Sequence, residues 1–509
     1  MTMNSDSLIQ WFTKSLLADP QKTAITFLRD GSVETTVTGR ELERDALRMA
    51  GTFLGMGVAK GDRVVLFIEK SLIFVVTHLA LQKLGAVSVP LNPGFTKSEL
   101  QYLLGDARPK AILIEPGATA MIEHIDASLC RVVVDTRKPY QDLDIFANSP
   151  VKLPPVAIRD EDPALIIYTS GTTGNPKGAV LTQQNLVHDA RNIIDIWKIR
   201  ASDVICHVLP LFHVHGLCFA LHTALLATAQ VVMLNRFDPQ KTLEVLSRKK
   251  GPHVCTIFMA VPAMYTKLVE SLGDKKPDFE HIRLWTSGSA PLAADDFELL
   301  HRLFGRQPVE REGMSETGMN FSNPLDDKRQ PGSIGKPLPD LEVKIVDPDT
   351  GGDLAPGQTG EIWLKGPSIT PGYWQKPAET AAAFENGWFK TGDLGKVDDE
   401  GYYFLTDRLK HIIISGGENI SPKEIEQVIN RLEDVSQSCV VGLKDKKWGE
   451  KVAAAVVKKP GTTVTAEAIQ THCKTCLHPW KCPRAIVFTD RLPRNSLGKV
   501  LKEAVKKLF

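Results

Sequence analysis

Apolar residues in the first four hundred positions come in two textures. Short unbroken runs, DRVVLFIE (62–69) and AILIEP (111–116), have the pattern of strands buried on both faces. Between them, SLIFVVTHLALQKLGAV (71–87) spaces its apolar residues at three and four and reads as a helix. VVVD (132–135), LIIYTS (165–170), VVML (231–234) and RLWTSG (283–288) add further short strands. LIQWFTKSLL (8–17) reads as an amphipathic surface helix. Strands alternating with helices predict an α/β fold with mostly parallel sheets. From about residue 340 the texture changes. EVKIVD (342–347), GEIWLKG (360–366), WFKTGDLGKV (388–397) and YYFLTDR (402–408) are strands separated by Gly, Asp and Pro turns. Beyond about residue 408 the chain is more basic and ends LPRNSLGKVLKEAVKKLF. The predicted organisation is a large N-terminal domain, 1–407, of mixed sheets with helices, its 340–407 stretch a β-rich subdomain. A small α+β C-terminal domain, 411–509, follows. No internal repeat or low-complexity segment appears.

Length supports more than one core: 509 residues exceed an ordinary single domain. Charge is balanced, with 61 Lys and Arg against 60 Asp and Glu. That excludes an electrostatic case for nucleic acid or an acidic membrane surface. The N-terminus lacks the basic and apolar regions of a signal peptide. The most apolar long stretch, 204–234, is broken by Pro210 and carries His207, His213, His215 and His222, so it does not read as a membrane span. A cytoplasmic protein is expected. Eight cysteines at irregular spacing suggest no disulfide framework. HCKTCLHPWKC (472–482) holds a C-x2-C pair, yet its other spacings match no standard zinc ligand set, and it reads as cysteines on a helix and the loop after it. His213 and His215, two apart, would share one face of a strand; without carboxylates at ligand spacing they carry no metal prediction.

The chemistry starts at IIYTSGTTGNPKGAV (166–180), where an apolar strand runs into small hydroxyls, three glycines and Lys177. Glycines let backbone N–H groups approach phosphate oxygens, hydroxyls add donors, and the lysine adds a cation. A phosphate-binding loop is therefore expected. It is not the G-x-x-x-x-G-K-[ST] loop: counting from Gly171, the sixth position is Pro176, and no hydroxyl residue follows Lys177.

Five segments in order, YTSGTTGNPKG (168–178), REGMSETG (311–318), KTGDL (390–394), DRLKHIIISGGENISPKEIE (407–426) and PRNSLGKVLK (493–502), resemble the boxes of the adenylate-forming superfamily of acyl-CoA synthetases, luciferases and adenylation domains. The resemblance spans nearly the whole chain. It implies that a carboxylic acid attacks the α-phosphate of ATP, giving an acyl-adenylate whose good leaving group, AMP, is displaced by the thiol of coenzyme A. Charge concentrates at the α-phosphate in the first step, so Mg²⁺, a lysine and hydrogen-bond donors are needed there.

By this resemblance Thr169, Ser170, Gly171, Thr172, Thr173, Gly174 and Lys177 cradle the phosphates. Ser315 replaces a usual Thr and keeps its hydroxyl. Glu316 holds Mg²⁺. Asp393, with Arg408 beside it, takes the ribose. Gly288, Ser289 and Ala290 line adenine and the acyl group, and Glu312, Gly313 and Met314 fall at nucleotide positions. Lys499 reaches the α-phosphate and the substrate carboxylate. The resemblance also implies a C-terminal domain that turns about a hinge at 408–410, pivoting at Lys410, so that Ser415, Gly416, Gly417 and Glu418 line the coenzyme A tunnel.

Two positions depart from the pattern. Glu312 stands where an aromatic usually stacks on adenine, so the base is expected to be held differently. His411 stands where an acid usually follows Lys410, so altered hinge contacts are expected. The acyl side carries PLFHVHGL (210–217) with His213 and His215, and EREGMSETG (310–318) with Arg311 before the Glu-Gly pair. These segments look like those of malonyl-CoA synthetases, which implies an acid–CoA ligase for a short dicarboxylate whose distal carboxylate Arg311 binds. The alternatives are an Arg311 paired with Glu310 or Glu312 in a ligase for alkyl or aromatic monoacids, and a free-standing adenylation domain loading a carrier protein. Against amino-acid activation, LFHVHGLC (211–218) has no Asp to hold an amine. A nucleotide-binding regulator would need neither Lys499 nor Glu316.

Overall fold

The computed structural model describes residues 7–147, 150, 152–169, 175–273, 275–290, 292, 294–415, 418–445, 449–494 and 500–509, and only the backbone at Ile145, Ala147, Lys410, Glu418 and Asn419. Two compact units emerge: 1–342 with 365–389, and 343–364 with 390–509.

The first unit is built on two sheets. One has six strands in the order Cys130–Val133, Ala111–Ile114, Arg63–Phe67, Val87–Pro90, Pro163–Thr169, Lys177–Thr182. Its first five strands run parallel and the last is antiparallel. The other has nine strands, with a parallel centre from Val309–Met314 through Leu284–Ser287, Ile257–Ala260, Val204–His207 and Gln230–Leu234 to Thr23–Arg29, and antiparallel edges. The predicted strands at 62–69, 111–116, 132–135, 165–170, 231–234 and 283–288 all form, with ends shifted by a few residues.

Side-chain alternation assigns the faces. Val64 and Leu66 enter the core between the sheets, while Val65 and Phe67 enter a second core under the helices Lys97–Ala107 and Thr119–Ile125. On the large sheet Ile25 and Phe27 face the shared core, and Leu28 joins the outer one with Phe258 and Trp285. The layer between the sheets is helical. Leu72–Leu84 is buried at every position except Lys83, because its apolar residues surround the axis rather than forming a stripe. Leu8–Ala18 closes this layer. Ser7 and Gln10 form its capping box, and Leu8, Ile9, Phe12 and Leu16 are buried.

In the second unit the strands Glu342–Val346, Gly360–Lys365, Trp388–Val397 and Tyr403–Arg408 share a sheet, as their Gly and Asp turns predict. A second sheet joins Glu418–Ile420, Ile413–Ser415, Gly449–Lys458, Val435–Asp445 and Ala485–Phe488, backed by the helices Pro422–Ile429 and Ala466–Cys476. Cys473 and Cys476 lie on that last helix and Cys482 beyond it; all eight cysteines of the chain are unpaired. The compact units do not coincide with the expected division at 408–410. Tyr403–Arg408 pairs with Trp388–Val397, and Asp407 accepts from Ser421 Oγ and the Lys423 amide at the start of the next helix. These bonds tie the β-rich stretch to the C-terminal part.

The inter-sheet layer holds a histidine pair. His78 Nε2 lies 2.9 Å from His222 Nε2, with the rings stacked at 20°, and His78 Nδ1 lies 2.9 Å from Ser88 Oγ. One ring must donate and the other accept, and burial keeps both neutral. Burial holds His78 down to about 3, and His222 well below its ordinary range, with His78 a further cause. An unfolded histidine protonates near pH ~6.5, so the stability from these neutral rings is complete above that value. It is lost as pH falls toward about 3, a cost on the order of a few kcal/mol. Replacing both His78 and His222 with Leu should move the midpoint of acid unfolding, followed by circular dichroism, to lower pH than in the wild type.

Candidate active site

The glycine-rich segment closes a hairpin. Pro163–Thr169 pairs antiparallel with Lys177–Thr182, Thr169 opposite Lys177, and residues 170–176 connect them. The chain returns as a strand, so the segment is not followed by a helix N-terminus as the nucleoside-triphosphatase loop is. Ser170, Gly171, Thr172, Thr173 and Gly174 lie outside the described residues. The base of the hairpin is fastened from one helix, Lys97–Ala107. Tyr102 Oη donates to the Pro176 carbonyl at 3.0 Å, and Tyr168 Oη to Asp106 at 2.8 Å. Lys177 Nζ sits 5.2 Å from the Tyr373 ring.

A second hairpin delivers Glu316. Val309–Met314 and Gly318–Ser322 are antiparallel, with Met314 opposite Gly318, so Ser315, Glu316 and Thr317 form the turn. Gly318 has φ +72°, and a Cβ there would lie 2.7 Å from Asp189 Oδ1. Gly313 is equally constrained: a Cβ would lie 2.5 Å from the Gly318 carbonyl oxygen. Buried Glu316 accepts at Oε1 from Thr169 Oγ1 and from Tyr373 Oη, both at 3.2 Å. Its backbone carbonyl accepts from the Thr370 amide at 2.7 Å. Asn185, on helix Gln183–Ile196, anchors the 367–374 segment by donating to the carbonyls of Pro367 and Ile369. Burial, then Glu316, pushes the Tyr373 phenol up, so it remains a donor.

Glu316 fits Mg²⁺: a hard carboxylate beside hydroxyl donors suits an ion that takes few protein ligands and completes its octahedron from phosphate and water. Glu316 would hold the ion, which supplies charge neutralisation at the phosphates. Among the described residues no cluster of three or more His, Cys, Asp or Glu could form an all-protein metal site.

The same hairpin carries the arginine expected on the acyl side. Arg311 is 2% exposed. Among the described residues its buried Nε and Nη2 have no hydrogen-bond partner, and its guanidinium lies 5.0 Å from the Phe219 ring centroid. Among the described residues no carboxylate lies within ion-pair distance of it. Glu310 instead accepts from the Leu292 amide and Glu312 from Asn320 Nδ2. Burial lowers the Arg311 pKa to about 10, against the opposing pull of Glu312 and Asp189. Gly288 follows the strand Leu284–Ser287, and a Cβ there would lie 2.5 Å from Arg311 Nε. Ser289 holds a left-handed φ of +67° and places Oγ 3.2 Å from His215 Nδ1, while Ala290 is exposed.

His213 and His215 are not on a strand. His207 ends the strand, and Gly216 packs so closely on Pro210 that a Cβ would lie 2.0 Å from its carbonyl oxygen. The chain then enters a wide helix, His215–His222. Burial holds His213 down to about 4. His215 is driven well below its ordinary range by burial, then by Arg311, His207 and His213.

In the second unit Asp393 and Arg408 face each other across paired strands, with Nε to Oδ1 at 2.5 Å and Nη2 to Oδ2 at 3.2 Å. Gly392 (φ +69°) donates to Glu361, and Thr391 Oγ1 accepts from the Asp393 amide, which sets the carboxylate's backbone. Ser415 is buried at the end of Ile413–Ser415. Only the backbone is described for Lys410 and Glu418; Gly416, Gly417 and Lys499 lie outside the described residues. Arg494 and Val500 bridge the base of the segment carrying Lys499. His411 Nδ1 stands 3.9 Å from Asp407 Oδ1, a contact an acid at this position could not make favourably.

Tyr373, Thr370, Asn185, Tyr102 and Asp189 were not anticipated from sequence. The Pro-Gly-Tyr-Trp stretch at 371–374 is a usable signal for Tyr373, but Asp189 reads as an ordinary polar residue of an amphipathic helix. Tyr373→Phe removes one of two hydroxyl donors to Glu316. It should raise the Mg²⁺ concentration for half-maximal pyrophosphate exchange by about tenfold, the scale of one hydrogen bond to a charged group. An unchanged Mg²⁺ dependence would deny the phenol that role.

Comparison with known proteins identifies the family. The AMP-binding enzyme family model matches residues 12–374, and that of the AMP-binding enzyme C-terminal domain matches 424–499. The indoleacetate–CoA ligase of Aromatoleum aromaticum is 35% identical over 98% of both chains. A mitochondrial malonate–CoA ligase of Bos taurus is 34% identical over 89% of this chain and 82% of its own. The crystal structure of ATP-bound MatB from Rhodopseudomonas palustris superposes with a TM-score of 0.92 at 36% identity, over 99% of each chain. The chain thus belongs to the AMP-binding enzyme family, as an acid–thiol ligase that joins a carboxylic acid to coenzyme A using ATP and Mg²⁺.

Proposed function

We propose that the acid is a short dicarboxylate of the malonate class, activated as its acyl-adenylate and transferred to coenzyme A in the cytoplasm. The observation that carries this reading is Arg311, a buried guanidinium with two nitrogens unpartnered and no carboxylate in ion-pair contact among the described residues. An isolated buried cation is costly, and a substrate carboxylate offsets that cost with parallel charge-assisted bonds. His213 and His215 add no competing charge, since burial keeps both neutral. A second reading, an uncharged alkyl or aromatic acid, draws support from the Phe219 ring beside Arg311 and from the similarity to an indoleacetate–CoA ligase.

The remaining roles are proposals of the same kind. Thr169, Lys177 and the loop between them hold the phosphates, and Ser315 donates near the α-phosphate. Gly288, Ser289, Ala290, Glu312, Gly313 and Met314 border the nucleotide, with Glu312 able to accept hydrogen bonds from the base but unable to stack on it. Asp393, paired with Arg408, accepts from the ribose hydroxyls. Residues 408–410 act as a hinge about which 411–509 turns. Lys499 serves adenylation, and Ser415, Gly416, Gly417 and Glu418 serve thioester formation. Turning one domain lets a single site meet two incompatible geometries.

The substrate is tested by kcat/KM for malonate, butyrate, hexanoate and benzoate. The wild type should prefer malonate. Arg311→Gly should reverse the order, costing malonate about 10²–10³-fold because one partner of a buried charge pair is removed. A wild type that ignores malonate refutes the dicarboxylate reading and leaves the ligase assignment intact. Division of labour is tested separately. Lys499→Ala should depress acyl-adenylate formation by about 10²–10³-fold and largely spare thioester formation from supplied acyl-adenylate; equal losses in both half-reactions would assign Lys499 elsewhere.

A further inference from the structure

The carboxylate of Asp106 ties together the two segments that supply Glu316 with its hydroxyl donors. Asp106 is the penultimate residue of Lys97–Ala107, and none of the residues in that last turn is basic. An acid there sits at the negative end of the helix dipole, so its own helix disfavours it. Its partners come from elsewhere in the chain. Oδ2 accepts from Tyr168 Oη at 2.8 Å, and Oδ1 lies 2.9 Å from Lys376 Nζ, with the Asp106 side chain 6% exposed. One carboxylate thus holds a hydroxyl on one oxygen and an ammonium on the other.

Both partners lead to the same place. Tyr168 precedes Thr169 on one strand, and successive side chains point to opposite faces. Fixing the Tyr168 ring on the helix side therefore fixes the face from which Thr169 Oγ1 reaches Glu316 Oε1. Lys376 closes a turn on Tyr373, its amide donating to the Tyr373 carbonyl at 3.2 Å, and Tyr373 Oη donates to the same Glu316 oxygen. Backbone bonds hold the near end of that segment: the Val180 amide donates to the Gly372 carbonyl at 3.1 Å, and the Trp374 amide to the Gly178 carbonyl at 2.8 Å. The phenol oxygen lies at the far end of a rigid ring, where a small tilt of the backbone exceeds the narrow distance range of a hydrogen bond. The Lys376 contact restrains that tilt from the other end.

We propose that Asp106 is a positioning residue for the metal ligand. By holding Tyr168 and Lys376 it aligns the Thr169 and Tyr373 hydroxyls on Glu316, so that the orientation of this carboxylate is set before Mg²⁺ arrives. It acts through those side chains and not by contact with the ion. The proposal rests on the reading that Glu316 holds Mg²⁺.

The test is the affinity for ATP, measured by titration calorimetry on the full chain with Mg²⁺ and again with EDTA. The ratio of the two isolates the gain that the metal provides, which a merely structural ion pair would not move. Glu316→Gln should remove most of that gain. Asp106→Ala should reduce it by about tenfold, the scale of a hydrogen bond to a charged group, and leave the affinity in EDTA unchanged. Tyr168→Phe and Lys376→Met each remove one partner and keep Asp106; each should reduce the gain by about threefold, and they carry the test should Asp106→Ala fail to fold. A wild-type gain in Asp106→Ala, or in both single-partner variants, overturns the role of Asp106 and keeps that of Glu316 if Glu316→Gln loses its gain. A wild-type gain in Glu316→Gln overturns both. Equal losses with Mg²⁺ and with EDTA also overturn the proposal, because damage to the whole phosphate site does not single out the ion.

Discussion

A helix apolar on all sides has to be covered on all sides, and the first unit is organised around that constraint. Leu72–Leu84 offers no polar face to solvent. Two sheets enclose it, and the helices Leu8–Ala18 and Gln183–Ile196 contribute to the same buried layer. Each sheet then has an outer apolar face that needs helices of its own, which yields alternating helical and sheet layers. Inside the central layer His78 pairs with both His222 and Ser88, which offsets the cost of burying them.

The two hairpins of the site hang from the edges of these sheets. Pro163–Thr169 with Lys177–Thr182 carries the glycine-rich loop, and Val309–Met314 with Gly318–Ser322 carries Glu316. The hydroxyls of Thr169 and Tyr373 meet on one oxygen of Glu316, so three separate segments fix one carboxylate. Such convergence preorganises donors and charge before the phosphates arrive, which is where most of the stabilisation of a charged transition state originates. The second hairpin thus carries both Arg311, on its strand, and Glu316, in its turn.

Among the described residues no carboxylate lies within ion-pair distance of Arg311. Glu310 and Glu312 accept from other partners, Gly288 gives the guanidinium room, and burial keeps the histidines beside it neutral. The Phe219 ring covers the guanidinium with a polarisable face. A buried cation in such surroundings is what makes the proposed dicarboxylate a physical question of charge pairing.

Much of the fold and the ligase class were legible in the chain. Strand and helix followed from apolar periodicity, because burial on one or two faces leaves a period of two or an unbroken run, and the five boxes, short local patterns, carried the family and pointed to Glu316, Asp393, Arg408, Arg311 and Lys177 as candidates. What it did not determine depends on contacts between distant positions. The spacing of His213 and His215 suited a strand, but Pro210 and Gly216 pack into a turn and a wide helix instead. Composition changes near 408, and it does not record that Asp407 bonds forward to Ser421 while its strand pairs backward to 388–397. Tyr373 and Thr169 lie about two hundred residues apart and meet only on Glu316. That Arg311 meets no described carboxylate within ion-pair distance follows from the tertiary structure, because whether a charge is paired depends on which segments fold against it, and no local pattern records that.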